Sequence, residues 1–164
     1  MIFNSANKLS SREEAARWVR ELQGRGLTVV FTNGCFDLLH PGHVAYLEEA
    51  RSLGDALLVA VNTDASVRRL GKGGLRPVNP EADRARVLAA LAAVDRVVLF
   101  EEDTPLELLT ALQPDVLVKG GDYQLDEVVG REVVLARGGQ VRVLPFRAGY
   151  STSLLVERIR SFPD

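Results

Sequence analysis

Residues 28–61, TVVFTNGCFDLLHPGHVAYLEEARSLGDALLVAV, contain the pattern that indicates the fold class. The two ends of this stretch, 28–32 (TVVFT) and 56–61 (ALLVAV), are short apolar runs of the kind that form strands buried on both faces. Between them, apolar residues recur at the spacing of one helical face until Gly54 ends the pattern. A strand, a helix and a second strand in this order predict a βαβ unit with parallel strands.

The same alternation extends over the rest of the chain. Three further strands are predicted over 96–100, 116–119 and 140–144. Helices are predicted around them, over about 10–22, 80–93, 105–112 and 151–159, the first beginning with a capping box at Ser10 or Ser11. The predicted fold class is therefore α/β: a doubly wound, mostly parallel five-stranded sheet with helices on both faces. Ligands of such sheets bind beyond the carboxyl ends of the strands.

Length and composition favour one domain. A chain of 164 residues with 46% hydrophobic residues can bury a sizeable core. We predict a single domain over 1–164, made of a helical N-terminal extension over 1–26 and a core over 27–160.

Charge and cysteine content limit the classes of partner and compartment. A formal net charge of −2 gives no basic surface for nucleic acid or a membrane, so neither partner is predicted. Cys35 is the only cysteine and cannot form an internal disulfide, which favours a reducing compartment. The N-terminus lacks the apolar core of a signal peptide, and no apolar run is long enough to span a bilayer. We predict a cytoplasmic protein.

The strongest signal for function lies between the first strand and its helix. Pro41 suits the first turn of a helix, and His40 and His43, three residues apart, reach toward the same space in front of it. Unpaired backbone N–H groups and the positive end of the helix dipole face that space, and Gly42 lets a phosphate approach the backbone. This pattern predicts an anion site where two imidazoles stabilise negative charge, as nucleotidyl transfer requires.

A pair of surface or metal-binding histidines would show the same spacing. However, His40 and His43 are the only histidines of the chain, and they follow a strand end where α/β folds bind ligands. No acidic or thiol residue lies at a matching helical offset to complete a metal site. We interpret both histidines as catalytic residues that act on phosphates, and we predict no protein-held metal.

The segment TNGCFD…HPGH resembles the H-x-G-H signature of the cytidylyltransferase-like nucleotidyltransferases. Four further motifs resemble the branch that adenylylates D-glycero-β-D-manno-heptose 1-phosphate: NTD at 62–64, RPVNP at 76–80, FEEDTP at 100–105 and LVKGGDY at 117–123. The resemblance covers about residues 28–160 and implies a Rossmann-like nucleotidyltransferase fold. It also implies transfer of AMP from ATP to the heptose phosphate, giving ADP-heptose and pyrophosphate. In many bacteria this activity is the C-terminal half of a bifunctional kinase and adenylyltransferase, and here it would stand alone.

The resemblance implies roles for the loop after the first strand. Its backbone N–H groups would line the nucleotide and its triphosphate. Asp37 would cap or orient the turn rather than act as a base, and Cys35 would be a small packing residue rather than a nucleophile. The implied nucleotide-binding residues of this segment are Thr32, Asn33, Gly34, Cys35, Phe36, Asp37 and Gly42.

Two of the three lysines lie in glycine-rich segments. Lys72 would close over the phosphates once substrate binds, the alternative being a solvated loop lysine; the chain has an extra glycine before it relative to the family. Lys119, at the carboxyl end of a predicted strand, would reach the sugar phosphate or pair with Asp122. The implied roles are catalytic for Lys119 and nucleotide-binding for Lys72, Gly120 and Asp122.

The segment RAGYSTS at 147–153 resembles the final motif of the family, a hydroxyl-rich turn that opens the last helix. Ser151 suits an N-cap, the helix start offers a second phosphate site, and the planar guanidinium of Arg147 can hold phosphate oxygens. Tyr150 stands where the family has a smaller residue. The implied nucleotide-binding residues here are Arg147, Ser151, Thr152 and Ser153.

The expected ligands are ATP and a sugar phosphate. Mg²⁺ is expected to be carried with ATP and held by phosphate oxygens and water. We also expect the chain to be able to form a homodimer through exposed helix faces.

Two other functions remain open. A cytidylyltransferase acting on glycerol 3-phosphate or a related alcohol phosphate would share the histidines and the final motif, and the preference for ATP rests on the resemblance. A nucleotide-binding module without turnover would often have lost a phosphate-binding residue, whereas this chain retains His40, His43, Lys119 and Arg147. A dinucleotide-binding protein is disfavoured, because NGCFD follows the first strand in place of a G-x-G-x-x-G turn.

Overall fold

A computed structural model describes residues 4–71 and 76–162. Within these ranges, six parallel strands form one sheet in the order β1-β4-β3-β2-β5-β6. The strands are β1 (Leu9–Ser10), β2 (Val29–Gly34), β3 (Ala56–Asn62), β4 (Arg96–Phe100), β5 (Val116–Gly120) and β6 (Gln140–Leu144).

Helices cover both faces of this sheet. One face packs on α1, α5 and α6, and the other packs on α2 and α4. Successive side chains of a strand point to opposite faces of the sheet. In β2, Phe31 therefore belongs to the core on the first face and Val30 to the core on the second. The helices are α1 (Arg12–Gly24), α2 (Pro41–Arg51), α3 (Asp64–Arg69), α4 (Glu81–Ala90), α5 (Leu106–Leu112), α6 (Arg131–Leu135) and α7 (Thr152–Arg160). None of the helices in the described ranges is long and apolar enough to cross a membrane.

The predicted α/β class and all five predicted strands are confirmed, but the predicted number of strands was wrong. The sixth strand is β1, which pairs Leu9 with Val97 and Ser10 with Val98 at the edge of the sheet. A strand of two residues is too short to show an alternating pattern in the sequence. It is recognised only by its pairing with β4. The helices α3 and α6 were not predicted either, because 6 and 5 residues are too few to show a helical period.

The start of α1 follows the predicted pattern. Ser11 is the N-cap, its hydroxyl accepts from the Glu14 N–H, and the Glu14 carboxylate accepts from the Ser11 N–H. Ala15 and Val19 of this helix are fully buried against the sheet. The N-terminal residues 9–24 therefore form part of the hydrophobic core and of the sheet.

The strand order reverses beside β2, which places a crevice at its carboxyl end. The chain runs from β2 through α2 to β3 on one side, and β5 later pairs with β2 on the other side. The loops that follow β2, β5 and β6 meet at this edge, where ligands bind in doubly wound sheets.

Candidate active site

A cleft of about 280 Å³ lies at this edge, and we call it the central cleft. It is bordered by the loop after β2, the first turn of α2, the end of β5 and the segment that leads into α7. Thirteen of the predicted site residues line it: Asn33, Gly34, Cys35, Phe36, Asp37, His40, Gly42, His43, Lys119, Gly120, Arg147, Ser151 and Thr152.

Four other predicted site residues are not among the described residues that line the central cleft. Thr32 is fully buried in β2 and its hydroxyl lies 2.7 Å from the Tyr46 hydroxyl. Asp122 is exposed beside the cleft, and the Ser153 hydroxyl accepts from the Arg76 guanidinium at 3.4 Å. Lys72 lies outside the described residues. The catalytic and nucleotide-binding roles of all the predicted site residues stay predictions, whether or not they line the cleft.

The two histidines lie together at the start of α2. His40 is the N-cap, and its Nδ1 accepts from the backbone N–H of His43 at 3.3 Å. Because Nδ1 is an acceptor, the neutral His40 ring carries its proton on Nε2. The two imidazoles stack with centroids 3.8 Å apart and planes 21° apart. The predicted convergence of His40 and His43 on one space is therefore confirmed, with Pro41 at the first helical position.

Burial keeps both rings neutral at neutral pH. Loss of hydration, with a smaller contribution from His40, lowers the pKa of His43 to about 4. Burial also lowers the pKa of His40. In the part of the chain that the structure describes, Nδ1 of His43 is buried and has no hydrogen-bond partner. Each neutral ring offers one N–H donor, and an anion bound beside the pair would favour protonation of both.

The low pKa of His43 predicts that the protein loses stability on acidification. The unfolded chain protonates this ring near the ordinary value of 6.5, whereas the folded chain resists protonation down to about 4. Below pH 6.5 the unfolded state thus binds more protons, and the free energy of unfolding decreases until the folded ring also titrates. With allowance for partial exposure, we expect a loss on the order of 2 kcal/mol from this group.

Urea unfolding of the wild type and of His43→Ala, followed between about pH 7.5 and pH 4.5, measures this loss. The wild type is expected to lose more stability than the variant across this range. Identical pH dependence in the two proteins would contradict the buried, neutral state of His43. The alanine variant is the appropriate reference because carboxylates that also titrate at the acidic end are common to both proteins.

Asp37 holds the loop after β2 against the segment that precedes α4. Asp37 as a whole is only 6% exposed, and its carboxylate accepts from the N–H of Val78, at 2.9 and 3.0 Å, and from that of Asn79, at 3.0 Å. The Asn79 side-chain amide donates to the backbone carbonyl of Asp37 at 2.8 Å. Asp37 therefore orients the loop, whereas the cap of α2 is His40.

The segment before α7 approaches the start of α2 closely. Ser151 is the N-cap of α7, as predicted, and accepts from the Leu154 N–H at 3.1 Å. The Tyr150 ring lies over His40, with centroids 6.2 Å apart and planes 20° apart. A Cβ at Gly42 would lie 2.9 Å from Cβ of Tyr150, so the approach requires glycine at position 42.

Cationic side chains border the central cleft. The Arg147 guanidinium lies 5.7 Å from the centre of the Tyr150 ring, and Nζ of Lys119 lies 5.4 Å from that of Tyr123. Arg76 also lines the cleft. The cleft thus combines two imidazoles, two guanidinium groups and one ammonium group, a set suited to a polyphosphate.

Sequence reasoning missed two aromatic residues of the cleft. Tyr46 lies one turn after His43, and its hydroxyl contacts Thr32 and donates to the Val118 carbonyl at 3.4 Å. Burial raises the pKa of Tyr46 to about 12. The spacing of three residues from His43 could have identified it. Phe146, with 68% of its surface exposed, packs on Gly120, and no local pattern indicated this contact.

Comparison with known proteins then decides the family. The sequence matches the cytidylyltransferase-like family model over residues 31–158. The chain belongs to this family. The predicted family and the predicted class of enzyme, a nucleotidyltransferase, are both confirmed.

Bifunctional proteins named HldE are similar to nearly the whole chain. The protein from Citrifermentans bemidjiense is 56% identical over 158 residues, which are 96% of this chain and 32% of that protein. The protein from Azorhizobium caulinodans is 58% identical over 153 residues, which are 93% of this chain and 32% of that protein. The chain therefore spans about a third of the length of these curated relatives.

Solved structures agree with the fold. The lipopolysaccharide core biosynthesis protein from Thermoplasma volcanium GSS1 is 32% identical, with a TM-score of 0.62 over 74% of this chain and 98% of that one. Pantoate-β-alanine ligase from Francisella tularensis, crystallised with β-γ ATP and β-alanine, is 15% identical, with a TM-score of 0.59 over 88% of this chain and 68% of that one. At that identity the second likeness shows the fold alone.

Proposed function

We propose that this nucleotidyltransferase transfers AMP from ATP, carried as its Mg²⁺ complex, to D-glycero-β-D-manno-heptose 1-phosphate. The products are ADP-heptose and pyrophosphate. The observation that carries the proposed chemistry is the stacked His40–His43 pair at the start of α2, inside a cleft bordered by Lys119 and Arg147. Such an arrangement stabilises negative charge where a phosphoryl group is transferred.

The acceptor is supported by the sequence. The motifs NTD at 62–64, RPVNP at 76–80, FEEDTP at 100–105 and LVKGGDY at 117–123 resemble the heptose branch of the family. The similarity to HldE proteins over 93–96% of the chain supports the same choice. So does the similarity to a protein named for lipopolysaccharide core biosynthesis.

The proposed reaction is a single in-line displacement. An oxygen of the heptose phosphate attacks the α-phosphorus of ATP, and the bond from that phosphorus to the oxygen bridging to the β-phosphate breaks. The electron pair leaves with pyrophosphate. His40 and His43 donate hydrogen bonds to the reacting phosphates, while Lys119 and Arg147 hold the two substrates in line. Mg²⁺ enters as part of the nucleotide substrate and neutralises phosphate charge.

Other residues of the proposed site bind and orient the nucleotide. Backbone N–H groups of 33–36 and the starts of α2 and α7 face the phosphates, and Lys72 closes over them when substrate binds. In the same proposal, Thr32, Asp122 and Ser153 also bind the nucleotide. A cytoplasmic location and a homodimer belong to the same proposal.

A second candidate is a cytidylyltransferase that acts on glycerol 3-phosphate or a related alcohol phosphate. The observation that favours it is the matched family itself, which is described by its similarity to cytidylyltransferases. The same cleft would serve both reactions, because the phosphate chemistry is identical and only the base and the acceptor differ.

A pyrophosphate-release assay tests the proposal. The purified chain is incubated with Mg²⁺ and each pairing of ATP or CTP with heptose 1-phosphate or glycerol 3-phosphate, and products are identified by mass spectrometry. Release with ATP and heptose 1-phosphate alone is the expected result. Release with CTP and glycerol 3-phosphate would replace the first candidate with the second. Absence of release in every pairing, from a folded sample that binds ATP, would favour a module without turnover.

A further inference from the structure

The loop after β2 contains a residue in an unusual backbone conformation. Phe36 has a φ of +47°, in the left-handed region that non-glycine residues rarely adopt. It lies between Cys35 and Asp37, both of which line the central cleft. Such a conformation persists only where the surrounding structure imposes it.

Arg84 of α4 holds the residue before this turn. Its side chain is 0% exposed, and its guanidinium donates to the Cys35 carbonyl at 2.6 Å. It also donates to the carbonyls of Asn62 at 2.8 Å and Asn79 at 3.0 Å, and to the Asp64 carboxylate at 2.8 Å. One buried cation thus joins the loop, the end of β3, the start of α3 and the segment before α4.

Asp37, the residue after the turn, is itself held by the segment before α4. Its carboxylate accepts from the N–H groups of Val78 and Asn79, and its carbonyl accepts from the Asn79 side chain. The backbone of Phe36 is therefore fixed on both sides, by Arg84 upstream and by Asp37 downstream. Both contacts involve the same short segment before α4, since Asn79 contacts Arg84 and Asp37 alike.

The left-handed turn directs the Phe36 ring to His43. The ring centroids of Phe36 and His43 lie 5.4 Å apart with planes 59° apart, an edge-to-face type of contact. The ring also covers Gly34, where a Cβ would lie 2.9 Å from Cε2 of Phe36. The Phe36 ring therefore lies against both Gly34 and the His43 ring.

We infer that Arg84 is a positioning residue for His43, acting through the left-handed turn and the ring of Phe36. The guanidinium is suited to this role because its planar fork reaches four acceptors in different directions, whereas the ammonium of lysine is a point charge on a flexible stem. Displacement of the Cys35 carbonyl would let the Phe36 turn relax and release the imidazole. The kinetic consequence of this inference rests on the proposed function, but its structural part does not.

Arg84→Lys tests the inference, with Arg51→Lys as the matched control. Arg51 is the last residue of α2 and lies near the amino ends of β3 and β4, at the other end of the strands from the cleft. There it pairs with Asp95 and donates to the Gly54 carbonyl. In NMR spectra without substrate, we expect Arg84→Lys to weaken the contact between the Phe36 and His43 rings and to shift the His43 imidazole signals. In the assay we expect kcat to fall by about 10- to 100-fold, with KM for the sugar phosphate changed less than about threefold. Arg51→Lys is expected to change none of these quantities.

A folded Arg84→Lys protein with wild-type ring contacts, imidazole signals and kcat would overturn the inference. If that variant does not fold, Phe36→Leu decides, because it retains Arg84 and removes only the ring. Unchanged His43 signals and kcat in Phe36→Leu would equally overturn the inference. The NMR result stands even if no substrate pairing is turned over, so failure of the proposed function is distinguishable from failure of the positioning role.

Discussion

His43→Ala is expected to lower kcat for pyrophosphate release by about a hundredfold or more while leaving the fold intact. Loss of one preorganised donor to a developing negative charge typically has an effect of this size. The fold should tolerate the change because alanine favours a helix and because Nδ1 of His43 has no hydrogen-bond partner among the described residues. Steady-state kinetics with ATP and heptose 1-phosphate, together with thermal unfolding, measure both parts.

His40→Asn provides the comparison for this result. Asparagine is a good N-cap, so the variant retains an acceptor for the His43 backbone N–H but lacks the imidazole. We expect it to lose turnover with little loss of stability, which would separate the capping role of His40 from its role on the phosphates. Turnover close to the wild type in His43→Ala would contradict the proposed role of the histidine pair.

Asp37→Ala is expected to reduce both stability and activity. The substitution leaves the N–H groups of Val78 and Asn79 without their buried acceptor, at a cost of about 2–4 kcal/mol in the free energy of unfolding. Because the loop that lines the central cleft would then lose its attachment, we also expect kcat/KM for ATP to fall by at least about tenfold. Urea unfolding and steady-state kinetics test the two effects.

Asp55→Ala is the matched control for Asp37→Ala. The Asp55 carboxylate accepts from the Thr28 N–H at 2.8 Å, but Asp55 is exposed and lies at the amino end of the strands, away from the cleft. We expect a loss of less than about 1 kcal/mol and unchanged kinetics, because water can replace the missing acceptor. Equal effects of the two substitutions would mean that the bonds of Asp37 have no special role in the site.

Several parts of the fold and of the site were predictable because they depend on neighbouring residues. Helix starts at Ser11, Pro41 and Ser151 depend on capping groups within four residues along the chain. The convergence of His40 and His43 depends on two residues three apart at one helix start, where His40 is the N-cap and His43 lies in the first turn. Other parts depend on distant segments, and the strand β1 is one of them, since two residues carry no period of their own.

Periodicity, capping and motif spacing are properties of the local chain, and the α/β class, the five longer strands, the histidine pair and the family follow from them. By contrast, the contact of Arg84 with the loop that lines the cleft joins residues 49 apart along the chain and arises from the assembled fold. The ionisation of His43 depends on the assembled fold as well. Its pKa of about 4 is due mainly to burial, and burial cannot be read from the residues next to His43 in the sequence. Burial and contacts between distant segments arise only when the sheet assembles. At this site they keep the stacked imidazoles of His40 and His43 neutral.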